Sequence, residues 1–216
     1  PGAWPLQLSK GAMADHSTEA LRKTPLHAMH VELGGKMVPF AGYEMPVQFD
    51  GVMPEHLWTR THAGLFDVSH MGPCFLFLKE GLGEPGAHER ISALLEQLVP
   101  SAISTLKPGQ GRLTVLLNGE GGILDDLIVT RMPDENLQGM LYIVVNGAVK
   151  DQDWALMREK LGDQCQLQTA DDRILVALQG PEAEAVLTPH FPEAADLKFM
   201  RCTHIQKDGE RFMVSR

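Results

Sequence analysis

The sequence contains little cysteine and no long hydrophobic run. Its three cysteines, Cys74, Cys165 and Cys202, lie far apart without a CxxC pair, which argues against a disulfide framework and a cysteine zinc site. The longest strongly apolar stretches have the length of a strand, whereas a membrane-spanning helix needs roughly 18 apolar residues. We therefore expect a protein of a reducing compartment that does not span a membrane.

Positive charge is also scarce. Nineteen Lys and Arg residues stand against 28 Asp and Glu residues, which gives a formal net charge of −9. Such an acidic chain is poorly suited to the phosphates of nucleic acid or to an anionic membrane surface, so neither is predicted as a partner. The apolar fraction of 44% and the charged fraction of 22% are those of an ordinary globular protein. The chain is therefore expected to fold.

The two ends of the chain differ from the rest. Residues 1–20 contain one basic residue, Lys10, and no apolar run, so a disordered leader is predicted there. Residues 21–216 are predicted to form one incomplete folding region, because the alternating segment 211–216 is typical of a strand interior with no turn after it. Because the leader is not rich in arginine, a bacterial cytoplasm is favoured, and the mitochondrial matrix applies if the chain is eukaryotic.

Hydrophobic periodicity predicts a mixture of hairpins and helices. Strands at 113–117 and 123–130 are separated by the residues Asn118 to Gly122, whose Asn and Gly favour a tight hairpin turn. Because hairpins are mixed with helices without a regular βαβ alternation, the predicted class is α+β, with mixed or antiparallel sheets and flanking helices. The predicted helices span 26–33, 54–64, 88–99, 149–161 and 182–187, the further strands span 74–78, 141–145 and 174–178, and residues 36–53 are predicted to be an irregular connection.

Two adjacent carboxylates, Asp125 and Asp126, interrupt an otherwise apolar strand in which Asp is disfavoured. Side chains alternate between the two faces of a strand, so only one of the two can point into a given pocket. One interpretation is a carboxylate in an apolar pocket that hydrogen-bonds a nitrogen-rich ligand or accepts its proton. The other is that both lie at a sheet edge or accept backbone hydrogen bonds. The strand pattern alone leaves both interpretations open.

The segment from Phe66 to Met71 brings a carboxylate, a hydroxyl and an imidazole together. A hydrolase is disfavoured, because catalytic triads are assembled across a fold and the sequence has no GxSxG elbow. We predict instead a turn in which Asp67 and Ser69 accept backbone hydrogen bonds. The histidines have no HExxH context and the glycines match no nucleotide-binding pattern, so neither a metal site nor a nucleotide site is predicted.

Five segments of the sequence occur in an order that matches one known family. They are Thr24 to Pro46, Ala63 to Met71, the strand sequence GGILDDLIV from Gly121, residues 144–146 and residues 177–181. Together they closely resemble the aminomethyltransferase (T-protein) family of the glycine cleavage system. The resemblance covers residues 24 to about 181, with weaker similarity to the end of the chain.

The resemblance implies a folate-binding aminomethyltransferase fold, with three domains around a central folate channel. It implies an enzyme that uses tetrahydrofolate as a substrate, together with the lipoyl-carrying H-protein as a partner. In such an enzyme the aminomethyl group on the lipoyl arm is converted into ammonia and 5,10-methylenetetrahydrofolate, and the arm is left as dihydrolipoyl. No metal is implied.

The family's catalytic aspartate matches Asp126, which the resemblance assigns to orienting and activating the folate amine. Met71, Ile128 and Asn146 match positions of the folate pocket. Leu113 stands where the family often has an aromatic residue, which removes a stacking surface. The family continues past residue 216 with further folate contacts and another domain, so we expect this chain to be an N-terminal portion truncated within its folate-binding region.

Two alternative hypotheses remain beside the transferase. One is a folate-binding relative without H-protein chemistry, of the iron–sulfur maintenance type found in the same superfamily. The other is an inactive fragment, in which an unpaired final strand would leave an exposed sheet edge and an unfinished core. The retained GGILDDLIV and FDVSHM segments favour the transferase over the folate-binding relative.

Overall fold

The computed structural model describes residues 20–216, so the predicted leader lies outside the described residues except for Ala20. Within this range the structure combines antiparallel sheets with helices. The strands are β1 (Met37–Phe40), β2 (Tyr43–Pro46), β3 (Gly64–Asp67), β4 (Gly72–Leu78), β5 (Gly111–Leu117), β6 (Ile123–Arg131), β7 (Met140–Val145), β8 (Cys165–Thr169), β9 (Val176–Gln179), β10 (Cys202–Lys207) and β11 (Glu210–Ser215). The helices are α1 (His27–Glu32), α2 (Val52–Thr61), α3 (Ala87–Leu95), α4 (Lys150–Leu161) and α5 (Ala183–Leu187), and short 3-10 turns span Ile103–Thr105, Glu135–Leu137 and Pro192–Asp196.

The main sheet has five strands in the order β5-β6-β7-β4-β8, and all neighbours are antiparallel. The predicted hairpin between β5 and β6 is confirmed. Its turn is closed by Asn118, whose Oδ1 accepts hydrogen bonds from the backbone N–H of Glu120 (3.0 Å) and of Gly122 (2.8 Å). Gly121 adopts a φ of 80°, a conformation that glycine reaches without steric cost.

The hydrophobic core lies on one face of this sheet, beneath α3 and α4. Every second residue of the strands points into it, as the period of two predicts. The apolar stripes predicted for the two helices are also buried there, which confirms both helices. The fully buried members include Leu76, Leu116, Leu127, Leu141 and Ile143 from the strands, Ile91 and Leu95 from α3, and Met157 from α4.

Residues 36–53 were predicted to be an irregular connection, and this prediction is wrong in its first half. The strands β1 and β2 form an antiparallel hairpin in register from Met37 to Pro46. Its two-residue turn places Ala41 at a φ of 48° and Gly42 at 79°, which is the turn geometry that matches the twist of paired strands. Prolines are tolerated because this sheet has only two strands, so each strand has a free edge.

The final segment was predicted to be part of a strand, which is confirmed; the alternative hypothesis that left this strand unpaired is wrong on that point. Strand β11 pairs along its whole length with β10. The turn between them places Asp208 and Gly209 at φ values of 51° and 83°, so an Asp-Gly hairpin signal was present in the sequence. The hairpin is joined to the start of β5 through Cys202, whose backbone N–H donates to the Gly109 carbonyl at 2.8 Å.

Other boundaries moved by a few residues. Helix α3 ends at Leu95, and the predicted remainder of it continues to Val99 as hydrogen-bonded turns. Strand β9 begins at Val176 and pairs with β3, a strand that was not predicted separately. No helix within residues 20–216 is long and apolar enough to cross a membrane. The predicted α+β class with antiparallel sheets is confirmed.

Candidate functional site

The face of the main sheet opposite the core is only partly covered by the described part of the chain. Leu113 of β5 is 59% exposed and Ile128 of β6 is 41% exposed. The strand register puts Leu113 directly opposite Ile128, and Ile128 directly opposite Val144 of β7. These side chains form a continuous apolar surface, which we call the outer face. Such a surface is suited to a flat apolar ligand or to another part of a protein.

The two adjacent aspartates of β6 lie on opposite faces of the sheet, as the strand pleat predicts. Asp125 is only 9% exposed and points toward the core, whereas Asp126 is exposed on the outer face, on the same side as Ile128. Both aspartates pair with β5, whereas the pairing of β6 with β7 begins only at Ile128. The alternative of backbone hydrogen bonding holds for Asp125, which accepts the backbone N–H of Asn146. Asp126 therefore offers a carboxylate beside the apolar surface.

Asn146, directly after β7, links the two aspartates. Its backbone N–H donates to Asp125 Oδ2 at 2.9 Å, and its side-chain Nδ2 donates to Asp125 Oδ1 at 2.8 Å. The same Nδ2 lies 3.1 Å from Asp126 Oδ1. Because both neighbours are acceptors, the network assigns the amide nitrogen to the aspartate side. The donor of the Asn146 amide is thus engaged within the protein, and its Oδ1 is left as an acceptor for a ligand.

Met71 lies at the same end of the sheet. It immediately precedes β4, whose first residue Gly72 pairs with Val145, so Met71 and Asn146 are neighbours across the two strands. The loop before Met71 is held by Lys150 of α4, which is only 1% exposed. Lys150 Nζ donates to the Tyr43 hydroxyl at 2.6 Å and to the carbonyls of His70 at 3.2 Å and Met71 at 3.3 Å. This buried lysine was not predicted, since a helical lysine is almost always exposed.

The turn predicted at Asp67 and Ser69 is confirmed. Asp67 Oδ1 accepts the backbone N–H of Ser69 at 2.9 Å, and Ser69 Oγ accepts the backbone N–H of Leu175 at 3.0 Å. Asp67 Oδ2 also accepts hydrogen bonds from Thr24 and His30, both at 2.8 Å. Burial acts to raise the pKa of Asp67, but the hydrogen bonds from Ser69, His30 and Thr24 outweigh it and lower that pKa. Asp67 is therefore a structural anchor.

The cysteines are poorly suited to nucleophilic chemistry. All three are buried as free thiols, and burial raises the pKa of Cys74 to about 12 and those of Cys165 and Cys202 to about 11. Across residues 20–216, no group of three or more His, Cys, Asp or Glu side chains is arranged to hold a metal ion. At this end of the outer face the polar side chains Asp126 and Asn146 lie next to the apolar Ile128 and Val144.

Comparison with known proteins identifies the family. A family model described as the GCVT N-terminal domain matches residues 26–216. The chain belongs to this family. "Aminomethyltransferase, mitochondrial" of Saccharomyces cerevisiae is 40% identical over 209 residues, covering 91% of this chain and 49% of that protein. "Aminomethyltransferase" of Picosynechococcus sp. is 39% identical over 200 residues, covering 91% of this chain and 51% of that protein.

A solved structure agrees with the sequence comparisons. The crystal structure of glycine cleavage system aminomethyltransferase T from Bartonella henselae superposes with a TM-score of 0.72 at 37% identity. The match covers 88% of this chain and 49% of that one. The resemblance to the aminomethyltransferase family and the α+β class are confirmed, and this GCVT N-terminal domain spans about half the length of the relatives it matches.

All the site residues predicted for this GCVT N-terminal domain lie inside the matched region and at one end of the outer face. Leu113 and Ile128 are cross-strand partners, Asp126 and Asn146 are hydrogen-bonded, and Met71 adjoins Asn146. Their roles toward a ligand stay predictions. The residues behind them that sequence reasoning missed are Lys150, which anchors the loop before Met71, and Asp153, which adjoins Asp125.

Proposed function

We propose that the protein containing this domain is the tetrahydrofolate-dependent aminomethyltransferase of the glycine cleavage system. The proposal is supported by relatives at 35–43% identity that carry the name aminomethyltransferase, and by the structural likeness to the Bartonella henselae protein. The observation that carries it is the exposed Asp126 carboxylate, bonded to Asn146 and standing beside an open apolar sheet face. The proposed partners are tetrahydrofolate and the lipoyl-carrying H-protein.

The proposed reaction transfers one carbon without net oxidation or reduction. The methylene carbon starts between the lipoyl sulfur and an amino nitrogen, and both its C–S and C–N bonds break. Two new bonds form from this carbon to the two acceptor nitrogens of tetrahydrofolate. The two protons that those nitrogens lose go to the departing ammonia and to the lipoyl thiol. The products are ammonia, the dihydrolipoyl arm and 5,10-methylenetetrahydrofolate.

In this proposal Asp126 is the catalytic residue. Its carboxylate accepts a hydrogen bond from a folate N–H, which orients the amine and stabilises the positive charge of the iminium-like transfer. The flat ring system packs on Leu113, Ile128 and the Met71 thioether, because apolar surface and a polarisable sulfur favour such a ring. Asn146 contributes its free Oδ1 as an acceptor for a second ligand N–H.

A folate-binding relative of the iron–sulfur maintenance type is the alternative, and no contact described above favours it. The compartment depends on the source of the chain. The yeast relative carries the word mitochondrial in its name, and other relatives are bacterial. We propose the cytoplasm for a bacterial source and the mitochondrial matrix for a eukaryotic one.

Calorimetric titration of the 216-residue chain with tetrahydrofolate tests the site. We expect binding by the wild-type chain and by Asp163→Asn, a control at an exposed position after α4. Asp126→Asn should bind about tenfold more weakly or worse, since it loses a charge-assisted hydrogen bond. Equal affinity of Asp126→Asn and the wild type would contradict the role of Asp126.

The reaction itself is tested in the full-length protein by measuring ammonia release with aminomethyl-lipoyl H-protein. Asp126→Asn should lower the rate by roughly 10²- to 10⁴-fold, the usual contribution of a positioned proton acceptor. The control Asp163→Asn should leave the rate unchanged. H-protein-dependent ammonia release would eliminate the alternative family member, and its absence would support that alternative.

A further inference from the structure

A buried carboxyl group lies behind the outer face without a charged partner. Asp153, in the first turn of α4, is 3% exposed, and its Oδ2 has no hydrogen-bond partner within the described residues. No salt bridge between described residues includes Asp153. An ionised carboxylate in such a position is costly, because it has lost water and gained neither a counterion nor a full set of donors. A protonated carboxyl avoids this cost.

The acceptor for that proton is Asp125, which is also buried on the core side and whose hydrogen bond with Asp153 acts to raise the pKa of Asp153. Asp125 already accepts two N–H donors from Asn146, whereas Asp153 Oδ2 has no partner among the described residues, so Asp125 acts as the acceptor and Asp153 as the donor. Two adjacent carboxyl groups that share a hydrogen bond do not both ionise easily. Burial raises the pKa of Asp153 to about 7, and the hydrogen bond and charge of Asp125 act in the same direction.

Other titratable groups near Asp153 do not replace this partner. Lys150, one turn earlier on α4, has its ammonium bound to the Tyr43 hydroxyl and to two backbone carbonyls. Cys74 of β4 faces the same region, but burial raises the pKa of its thiol to about 12, so it stays neutral. The positive charge of Arg158, at the far end of α4, acts to lower the pKa of Cys74. Arg158 forms no ion pair with Asp153 among the described residues. Asp125 is the group to which Asp153 is coupled.

We propose that Asp153 is a positioning residue: as a neutral acid it donates to Asp125, and so holds the Asn146 amide with its Oδ1 toward the outer face. The hydrogen bonds form one chain from Asp153 through Asp125 and Asn146 to Asp126. Loss of the Asp153 proton places a second negative charge beside Asp125 and drives the two carboxylates apart. The Asn146 amide then loses its fixed orientation. The consequence for folate rests on the function proposed above, whereas the coupling does not.

Two substitutions distinguish a role of the Asp153 proton from a role of the Asp153 side chain in packing. Asp153→Asn keeps the shape and a donor toward Asp125 but cannot ionise in this range. Asp153→Leu has a similar volume but no donor. The neutral-donor role predicts that Asn rescues the site and Leu does not, whereas a role in packing alone predicts no difference in the orientation of Asn146.

The first experiment needs no ligand. The side-chain amide signal of Asn146, assigned with Asn146→Ala, is followed by ¹⁵N NMR in the 216-residue chain from about pH 5 to 9. We expect a step near the Asp153 pKa in the wild type, no step in Asp153→Asn, and an altered signal at every pH in Asp153→Leu. The same step in Asp153→Asn, or none in the wild type, would overturn the inference.

The second experiment repeats the tetrahydrofolate titration across the same range. The wild type should lose roughly tenfold in affinity above the step, because an acceptor oriented toward the ligand is lost, while Asp153→Asn should show a flat profile. An NMR step in this chain, combined with a full-length protein that never binds tetrahydrofolate, would contradict the function proposed above and leave the coupling intact. An affinity profile shared by the wild type and Asp153→Asn would overturn the positioning role.

Discussion

The two faces of the main sheet are built from the same strands and serve different purposes. On the core face, Leu141 and Ile143 of β7 are fully buried beneath the helices. On the outer face, Leu113 and Ile128 remain substantially exposed and stand beside a carboxylate. Alternation along each strand thus lets neighbouring residues take opposite roles, one in stability and the next in recognition.

The adjacent pair Asp125 and Asp126 shows the difference most clearly. Asp125 points inward and accepts two N–H donors from Asn146, so it organises the protein interior. Asp126 points outward and shares with Asn146 a single side-chain contact, so its remaining lone pairs are free for a ligand. Identical side chains therefore differ in burial and hydrogen bonding because the pleat turns them to opposite faces.

Among substitutions that test the difference between the two faces, the largest loss of stability is expected on the core face. Leu141→Ala should lower the free energy of unfolding by about 2–5 kcal/mol, because it leaves a cavity in a packed interior. Leu113→Ala, the matched change on the outer face, should cost less than about 1 kcal/mol, since that side chain is already largely solvated. Urea denaturation of both variants measures the difference. Similar losses would mean that the outer face is packed as tightly as the core.

A smaller effect is expected from the aspartate pair. Asp125→Ala should cost about 1–3 kcal/mol of unfolding free energy, because it leaves the backbone N–H of Asn146 without its acceptor. Asp126→Ala should cost about 0.5 kcal/mol or less, as is usual for an exposed polar side chain. Urea denaturation of the two variants ranks their losses of unfolding free energy. An inverted order would contradict the assignment of inward and outward roles.

The smallest effect concerns the apolar wall itself. Ile128→Ala should weaken tetrahydrofolate binding several-fold, about 1 kcal/mol, because it removes part of the surface proposed to contact the ring. Ile123→Ala, at the exposed start of the same strand and separated from Ile128 by the bulge in the pairing with β5, is the control and should bind normally. Calorimetry on both variants gives the ratio of their dissociation constants for tetrahydrofolate. Equal weakening would indicate that the loss arises from β6 as a whole rather than from its outer face.

Much of the main sheet could be predicted because local signals agree with the fold. The apolar runs of β4 and β7 and the turn at Asn118 need no long-range information, and the stripe of Trp154, Met157 and Leu161 defines the buried side of α4. The hairpin of β1 and β2 was harder. Its strands contain Pro39 and Pro46, which normally argue against a strand, and Ala41 adopts a positive φ that alanine rarely takes.

The site was predictable only in part. Asp126 is conspicuous, because an acidic pair is unusual in an apolar strand, and the family resemblance supplied the neighbours around it. Lys150 and Asp153 gave no such signal, since charged residues on a helix are normally solvated. Their burial depends on contacts that the local sequence does not encode, such as the bond from Lys150 to Tyr43, which lies 107 residues away. Polar groups of this kind are fixed by tertiary structure.

The order of strands in the main sheet also has a consequence for biosynthesis. Strand β4 lies between β7 and β8, although both follow it in the chain. Its apolar residues cannot pair until the roughly 70 residues to the end of β7 have been made, which takes roughly 4 to 14 s at usual synthesis rates. During that interval β4 is an unpaired apolar segment that can associate with other exposed apolar surfaces. A nascent chain paused before β7 should therefore be a preferred client for chaperones.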